Sequence, residues 1–261
     1  MQSPEMNDAH AAVLITGAAS GIGAALARRL AAPGISMALH GGGSTPESGA
    51  RLETVVADCK QAGARCLVTR GNLAEPGHGA PIVAEALDAF GRLDKVVHCA
   101  GHVDKTPIGE LNRAGLDRSI SLMPGALLEI ATAALPALAA SGVGRIVAVS
   151  SFIAHKIEPK TLAPASAIAK AAMETLVRCL ALSFASQGIT VNAVVPGFTR
   201  KDAGKAGTLS AQGWIEAAAR TPTGRLNEAD EVAAAIEFLL SAPARQITGA
   251  LLHVDGGLTL G

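Results

Sequence analysis

An apolar run followed directly by a glycine-rich turn constrains the fold of this chain more than any other feature. Residues 11–17 read AAVLITG, and the overlapping turn at residues 16–23 reads TGAASGIG. An uninterrupted apolar run is typical of a strand buried on both faces, as in a parallel sheet. Glycine at positions 17, 21 and 23 lets the backbone turn sharply and approach a ligand closely. The segment predicts a strand, a tight turn and a helix whose N-terminus binds a pyrophosphate, although glycine can also serve the turn alone.

The rest of the chain alternates strand-like and helix-like segments about six times, with crossovers long enough for right-handed β-α-β units. This alternation predicts an α/β, single-domain Rossmann fold over residues 11–261, a doubly wound parallel sheet with helices on both faces. Residues 1–10 are expected to be disordered or loosely ordered. Residues 200–220, which include Trp214, break the alternation and are expected to form an irregular lid. Asn227 is expected to cap the helix that follows it.

Composition excludes several classes of function. The 22 basic and 22 acidic residues balance, and no basic stripe suggests a nucleic-acid partner. The first ten residues lack the pattern of a signal peptide, and no uninterrupted apolar segment of membrane-spanning length is apparent. We therefore expect a cytoplasmic protein with no membrane association. The four cysteines match no metal pattern and are expected to be small buried hydrophobes in a reducing compartment, namely Cys59, Cys66, Cys99 and Cys179.

The TGxxxGxG spacing at residues 16–23 resembles that of the short-chain dehydrogenase/reductase family. Further segments agree with the family pattern: CAG at 99–101, VNAVVPGFT at 191–199, and, in the C-terminal third, TPTGRLNEADEVAAAIEFLLS and ITGALLHVDGG. The resemblance covers residues 11–259. It implies a Rossmann fold, binding of NAD(P)(H), a small-molecule substrate and a homo-oligomer, either a dimer or a tetramer.

The same resemblance identifies a set of cofactor-binding residues along the carboxyl edge of the sheet. Asn72 stands where the family has an aspartate that contacts the adenine. Pro196 and Gly197 are expected to form the wall around the nicotinamide. The full set is Gly17, Ala19, Ser20, Gly21, Ile22, Gly23, His40, Ser44, Thr45, Asn72, Leu73, Cys99, Ala100, Gly101, Lys170, Pro196, Gly197 and Thr199.

The segment after the second strand favours NADP(H) over NAD(H). A carboxylate at the end of this strand commonly binds the ribose 2′-hydroxyl of NAD. Here the strand ends LHGGGST, and the first acid is Glu47, inside the next helix. No arginine follows the strand either, but His40, Ser44 and Thr45 offer hydrogen bonds to a 2′-phosphate.

The catalytic positions carry an unusual substitution. Ser151 matches the family's serine and Lys170 its lysine, but Ser166 occupies the position of the tyrosine, and the chain contains no tyrosine at all. Met123 aligns with the family's asparagine. A phenol has a pKa of about 10, which a nearby ammonium can lower. An aliphatic hydroxyl is a far weaker acid and is shorter, so Ser166 is a poor replacement.

Two histidines are candidates for the missing proton donor because the pKa of histidine lies near neutrality. His102 follows the CAG segment and His155 follows Ser151; the alternative is that both are ordinary polar loop residues. Three functions therefore remain open. The chain is an oxidoreductase for a carbonyl/alcohol pair with an atypical proton relay, a catalytically weak or inactive dinucleotide-binding protein with a regulatory or structural role, or a lyase or isomerase that uses the same pocket.

The helical stretch at 164–187 is apolar on nearly every side. A helix with this pattern is buried on more than one face. A subunit interface would supply the second face, which agrees with the homo-oligomer implied by the resemblance. The substrate itself has no recognisable signature in the sequence.

Overall fold

The structure is a computed structural model that describes residues 10–42, 45–200 and 210–261. The strands found there are β1 (Ala12–Thr16), β2 (Ser36–Gly41), β3 (Arg65–Arg70), β4 (Lys95–His98), β5 (Arg145–Val149), β6 (Thr190–Pro196) and β7 (Leu251–Val254). The α-helices are α1 (Gly21–Leu30), α2 (Pro46–Gln61), α3 (Gly79–Phe90), α4 (Arg113–Ile120), α5 (Ala126–Ser141), α6 (Pro164–Phe184), α7 (Ala211–Arg220) and α8 (Ala229–Leu240).

The strands form one parallel sheet of seven in the order β3-β2-β1-β4-β5-β6-β7. The order reverses direction between β1 and β4, which is the switch point where ligands bind in doubly wound sheets. All residues of β1, β5 and β6 are buried, because helices cover both faces. The predicted fold class is confirmed.

Two hydrophobic cores lie on opposite faces of the sheet. One joins the sheet to α3, α5 and α6, and the other joins it to α1, α2 and α8. Alternate residues of each strand serve the two cores, since successive side chains point to opposite faces. The apolar stripe predicted for α2 is buried as expected, namely Leu52, Val55, Val56 and Cys59.

Three local expectations need correction. Residues 211–220 form the helix α7, which Ser210 caps by accepting a hydrogen bond from the Gly213 N–H at 3.1 Å. The cap of α8 is Glu228, which forms a reciprocal capping box with Glu231. Asn227 lies one residue too early and donates its side-chain amide to the Val254 carbonyl instead. The four cysteines were expected to be buried, but only Cys59 is; Cys66 and Cys99 are half-buried and Cys179 is exposed.

Two expectations fall wholly or partly outside the described residues. Residues 1–9 and 201–209 are not described, so the N-terminal segment and the first half of the expected lid are not placed. Only His10 of the N-terminal segment is described, and it is exposed.

One helical stretch has the length and apolar composition of a membrane span. It runs from Arg113 to Ser141 and combines α4, a π-helical turn at Ser121–Gly125 and α5. The sequence analysis did not identify this stretch, since it found no uninterrupted apolar segment of membrane-spanning length. The inner face of α5 packs into the core beside α3, as core helices of soluble proteins do, with Ala126, Leu127, Ile130, Ala131, Ala134 and Leu138 buried.

Candidate active site

The glycine turn between β1 and α1 has the geometry of a ligand cradle. Gly17 and Gly21 adopt left-handed backbone angles, with φ of +68° and +56°. A Cβ on Gly21 would meet nothing within 4 Å, whereas a Cβ on Gly23 would lie 2.4 Å from the Gly17 carbonyl oxygen. Gly21 therefore borders open space at the start of α1, while Gly23 allows helix and turn to pack closely. This shape fits a pyrophosphate against a helix N-terminus.

The flanks of the turn hold it against the strands. The Ala18 N–H donates to the His40 carbonyl at 2.9 Å, which ties the turn to the end of β2. Ala19 and Ile22 pack against the core formed by α1, α2 and α8. Ser20 occupies the N-cap position of α1 without using its side chain as a cap.

His40 is placed differently from a free phosphate ligand. Its ring is 2% exposed, and its Nε2 lies 3.0 Å from the Gly71 carbonyl oxygen. Burial lowers the pKa of His40. Thr45 caps α2 by accepting from the Ser48 N–H at 3.2 Å, and its side chain also hydrogen-bonds Glu47, which helps to lower the pKa of that carboxyl. Ser44 lies outside the described residues.

Arg70, the last residue of β3, is a cation at this edge that the sequence reasoning missed. It pairs with Gly41 at the end of β2, and its Nη2 lies 3.7 Å from Glu53 Oε1 on α2. Its Nη1 lies 3.9 Å from where a Cβ on Gly49 would stand. The guanidinium therefore lies beside the first two turns of α2, the helix that follows β2. Arg70 could have been found from the parallel register of the two strands, which makes the last residues of β2 and β3 neighbours.

Asn72 and Leu73, the second and third residues after β3, both have partners within the protein. The Asn72 side chain donates to Glu75 Oε1 at 2.8 Å and accepts from the Ala74 N–H at 3.2 Å. Leu73 is buried in the core. The Asn72 amide thus stabilises its own turn. An adenine that contacted Asn72 would have to share this amide with Glu75 and Ala74.

The loop after β4 touches the glycine turn directly. A Cβ on Gly17 would lie 2.9 Å from the Ala100 nitrogen. The Thr16 hydroxyl lies 3.0 Å from His98 Nδ1 and accepts from the Ala100 N–H at 3.1 Å. Burial raises the pKa of the neighbouring Cys99 thiol to about 12, so this thiol is neutral. The predicted CAG segment and the glycine turn are therefore in direct contact.

Lys170 reaches this surface from α6. Its side chain is buried, and Nζ donates to the Val149 carbonyl at 2.5 Å. A Cβ on Gly101 would lie 3.3 Å from Nζ and 3.6 Å from Met123 Sδ. Burial lowers the pKa of Lys170 to about 8, although Cys99 and Glu174 oppose the shift. An ammonium with this acidity exchanges its proton readily near neutral pH.

Ser166 is a structural tether in this fold. It is fully buried, its Oγ donates to the His102 carbonyl at 3.2 Å, and it accepts from the Asp104 N–H at 2.8 Å. The hydroxyl thus joins the first turn of α6 to the loop after β4. Sequence reasoning identified the position but had no means of seeing these partners.

The two histidines proposed as proton donors both have hydrogen-bond partners. His102 Nε2 lies 3.2 Å from the Ser119 hydroxyl on α4, and burial lowers the pKa of His102. His155 Nε2 lies 3.0 Å from Glu174 Oε1, and its ring packs edge-on against His253 with centroids 4.7 Å apart.

Glu174 is a second residue that the sequence reasoning missed. It is 5% exposed and accepts a hydrogen bond of 2.5 Å from the Ser150 hydroxyl besides the contact with His155. A buried carboxylate of this kind needs such partners. Ser151, by contrast, caps the short 3₁₀ turn after β5 by accepting weakly from the Ile153 N–H at 3.5 Å. The Ser151 hydroxyl is therefore more available to a ligand than the Ser150 hydroxyl.

The end of β6 closes the edge of the site. A Cβ on Gly197 would lie 2.8 Å from Asp255 Cα, so the strand end passes close to the segment after β7. Thr199 donates to the Gly197 carbonyl at 3.1 Å and forms a bridge with Asn227. Pro196 is buried at the strand end. Across the described ranges, no group of three or more His, Cys, Asp or Glu is arranged to hold a metal ion.

Comparison with known proteins gives matches over nearly the whole chain. The family model described as enoyl-(acyl carrier protein) reductase matches residues 17–259. The cis-4-hydroxycyclohexanecarboxylate dehydrogenase of Sinomonas cyclohexanicum is 37% identical over 247 residues, which cover 94% of this chain and 95% of the relative. The 3-oxoacyl-[acyl-carrier-protein] reductase of Salmonella typhimurium is 32% identical over 249 residues, covering 94% and 96%.

Solved structures agree in fold. The angucycline C-6 ketoreductase LanV, solved with bound NADP, has a TM-score of 0.86 and 27% identity, covering 96% of each chain. A short-chain dehydrogenase/reductase from Serratia marcescens has the same TM-score and identity, covering 95% of this chain and 98% of its own. The relatives are dehydrogenases and reductases that act on alcohols or carbonyls, by their names.

Proposed function

This chain belongs to the short-chain dehydrogenase/reductase family, and from that premise we propose that it is an NADP(H)-dependent oxidoreductase with an atypical proton relay. The observation that carries the proposal is the contact between the glycine turn and the loop after β4. Gly17 lies against Ala100, and the next residue, Gly101, lies against the Lys170 ammonium. A phosphate site and a buried cation are thereby part of one surface at the switch point of the sheet.

The residues present fit a dinucleotide. Gly21 leaves the start of α1 open for a pyrophosphate, and Lys170 offers a cation beside the loop that would border the nicotinamide ribose. Thr45 and Arg70 would hold the adenosine end. The nicotinamide, when bound, supplies or accepts the hydride. Ser151 would hold the substrate oxygen by a hydrogen bond, since its own cap contact is long.

Arg70 supports the preference for NADP(H). A guanidinium beside the end of β2 favours a 2′-phosphate, because arginine recognises phosphate oxygens with two parallel N–H groups. We expect Arg70→Gln to weaken NADPH binding roughly tenfold and to leave NADH binding nearly unchanged. Arg113→Gln is the matched control, because Arg113 is exposed and pairs only locally with Asp117. Fluorescence titration measures both; equal losses for the two nucleotides, or none, would contradict the assignment.

The substrate class follows from the relatives. One relative is named for a hydroxylated cyclohexane carboxylate and another for a 3-oxoacyl group. We propose a secondary alcohol and its ketone as the substrate pair, with cyclic hydroxy acids as the first compounds to test. The assay follows NADPH absorbance with a panel of ketones, and NADP reduction with a panel of alcohols that includes cis-4-hydroxycyclohexanecarboxylate.

A second candidate is a dinucleotide-binding protein with little or no hydride transfer. The observation in its favour is Ser166, whose hydroxyl is bonded to the loop after β4 and is a far weaker acid than a phenol. Tight NADPH binding without turnover on any substrate of the panel would favour this candidate. Turnover by the wild type that is lost in Gly21→Ala, together with NADPH binding, would favour the enzyme.

The remaining features of the proposal concern assembly and location. We propose a homo-oligomer, because Ile168 and Leu182 on α6 are exposed in the single chain at 47% and 85%. Sedimentation of the full chain at micromolar concentration tests this, and a monomer would contradict it. We also propose a cytoplasmic protein without nucleic-acid partners, a single Rossmann-type domain over 11–261, and a lid over 200–220 of which α7 is the described part.

A further inference from the structure

We propose that Lys170 itself is the catalytic acid, its ammonium giving the proton that the substrate oxygen takes up on reduction. The proposal rests on the reductase function proposed above. It departs from the arrangement that the family resemblance implies, in which lysine holds the nicotinamide ribose and assists a tyrosine.

The position of Lys170 supports this role. It lies one helical turn after Ser166 on α6, and Nζ extends past the tether to the end of β5, where Val149 accepts one of its hydrogen bonds. An ammonium has three donor protons, so the Val149 carbonyl uses only one of them. Gly101, which is exposed, has no side chain to cover Nζ. The ammonium is therefore anchored by the sheet and borders an exposed part of the loop after β4.

Burial makes this ammonium more acidic, and neighbouring groups limit the effect. The titratable groups that face it are His98 at the end of β4, Cys99 and His102 from the following loop and Glu174 from the next turn of α6, with His155 behind Glu174. Burial lowers the pKa of Lys170 to about 8, and Glu174 limits the fall. At neutral pH the cation predominates, and it is a stronger acid than an ordinary lysine.

The other groups at this edge are less suited to the role. The Ser166 hydroxyl is fully buried and bonded on both sides. Burial lowers the pKa of His98 to about 3, so this imidazole has no proton to give at neutral pH. His102 and His155 are engaged with Ser119 and Glu174.

The reaction balances with a reduced nicotinamide as the co-reactant. The carbonyl carbon gains a hydride, and the C=O π bond breaks as its electron pair moves to oxygen. That oxygen takes a proton from the Lys170 ammonium and becomes an alcohol, leaving a neutral amine. The amine regains a proton from solvent before the next turnover.

The test compares the wild-type chain with Lys170→Arg. Arginine keeps the positive charge and the capacity to bind a ribose, but its pKa above about 12 makes it a poor acid. We expect NADPH affinity, measured by fluorescence, to change less than threefold, and kcat to fall by a factor of about 10²–10⁴. The wild-type rate of reduction should be level below pH 8 and fall tenfold per pH unit above it, because the ammonium is lost there.

A readout independent of turnover uses lysine labelled with ¹⁵N at Nζ. We expect one lysine signal, absent from spectra of Lys170→Met, to titrate near pH 8 in the cofactor-free protein. A Lys170→Arg variant that retains wild-type kcat, or a Lys170 signal that titrates near 10, would overturn the proposal even if the wild type is an active reductase. A wild type that binds NADPH but reduces no carbonyl would overturn the proposed function and this inference together.

Discussion

Replacing Ser166 by tyrosine tests whether the missing phenol can simply be put back. The Ser166 hydroxyl points at the backbone of the loop after β4, with the Asp104 N–H at 2.8 Å and the His102 carbonyl at 3.2 Å. A phenol built along this direction meets that backbone. We therefore expect Ser166→Tyr to disturb the loop and to leave the reductase rate no higher than that of the wild type.

The magnitude follows from the two bonds and the lack of space. Each lost hydrogen bond costs about 1 kcal/mol, and overpacking a fully buried position costs about 1–3 kcal/mol. The free energy of unfolding should fall by about 3–5 kcal/mol, which lowers Tm by roughly 6–20 °C in a chain of this size. Ser166→Ala is the matched control, because it removes the bonds without adding volume and should cost about 1–3 kcal/mol.

The assay is thermal unfolding of the three proteins, followed by NADPH oxidation with the ketone panel. A tyrosine variant that melts within a degree or two of the wild type would show that the loop moves aside easily. If that variant also reduced ketones faster than the wild type, the description of Ser166 as a tether would be refuted.

Three further predictions follow from the same edge of the sheet. Gly21→Ala should abolish NADPH binding in titrations, because a Cβ would enter the open cradle; Gly224→Ala is the control, since Gly224 also has positive φ and open space but lies elsewhere. Lys170→Met should raise the free energy of unfolding at pH 7 by up to about 3 kcal/mol, because the folded pKa of about 8 lies below the reference value of 10.5. Between pH 8 and 10.5 the unfolded chain binds more protons than the folded one, so the free energy of unfolding of the wild type should rise over this range. The difference between Lys170→Met and the wild type should therefore shrink as the pH rises. Denaturant unfolding at several pH values measures this, and a constant difference would contradict it. Glu174→Gln should cost about 1 kcal/mol, because the amide oxygen still accepts from Ser150 but the bond loses its charge assistance. It should also move the alkaline limit of the reductase rate to lower pH, because Glu174 raises the pKa of Lys170; an unmoved limit would count against the coupling.

The sheet and the glycine turn were predictable from the sequence because their signals are local. Apolar runs such as residues 11–17 indicate buried strands, and the glycine spacing at 16–23 indicates a tight turn before a helix. The cap of α8 was misplaced by one residue, since Asn227 is a preferred N-cap type whereas Glu228 caps the helix through its capping box with Glu231. Segment 211–220 was read as irregular, but it forms a short helix that is capped by Ser210 and buries only Ala217.

The polar contacts of the site were not predictable, because they join residues far apart in the chain. Glu174 looks like an ordinary helix carboxylate until Ser150 and His155 are placed beside it. Arg70 becomes relevant only through the register of β3 with β2. Ser166 could be identified as a lost phenol by alignment, but its bonds to the loop depend on the tertiary fold.

The loop after β4 is held at two points, by Thr16 at Ala100 and by Ser166 at Asp104. This double attachment means that the fold opposes a single substitution to tyrosine at position 166. A phenol there would have to displace both the Asp104 N–H and the His102 carbonyl that bond the serine. The larger side chain would be accommodated only after other substitutions had released the loop, so selection for another acid in the same pocket offers the shorter route.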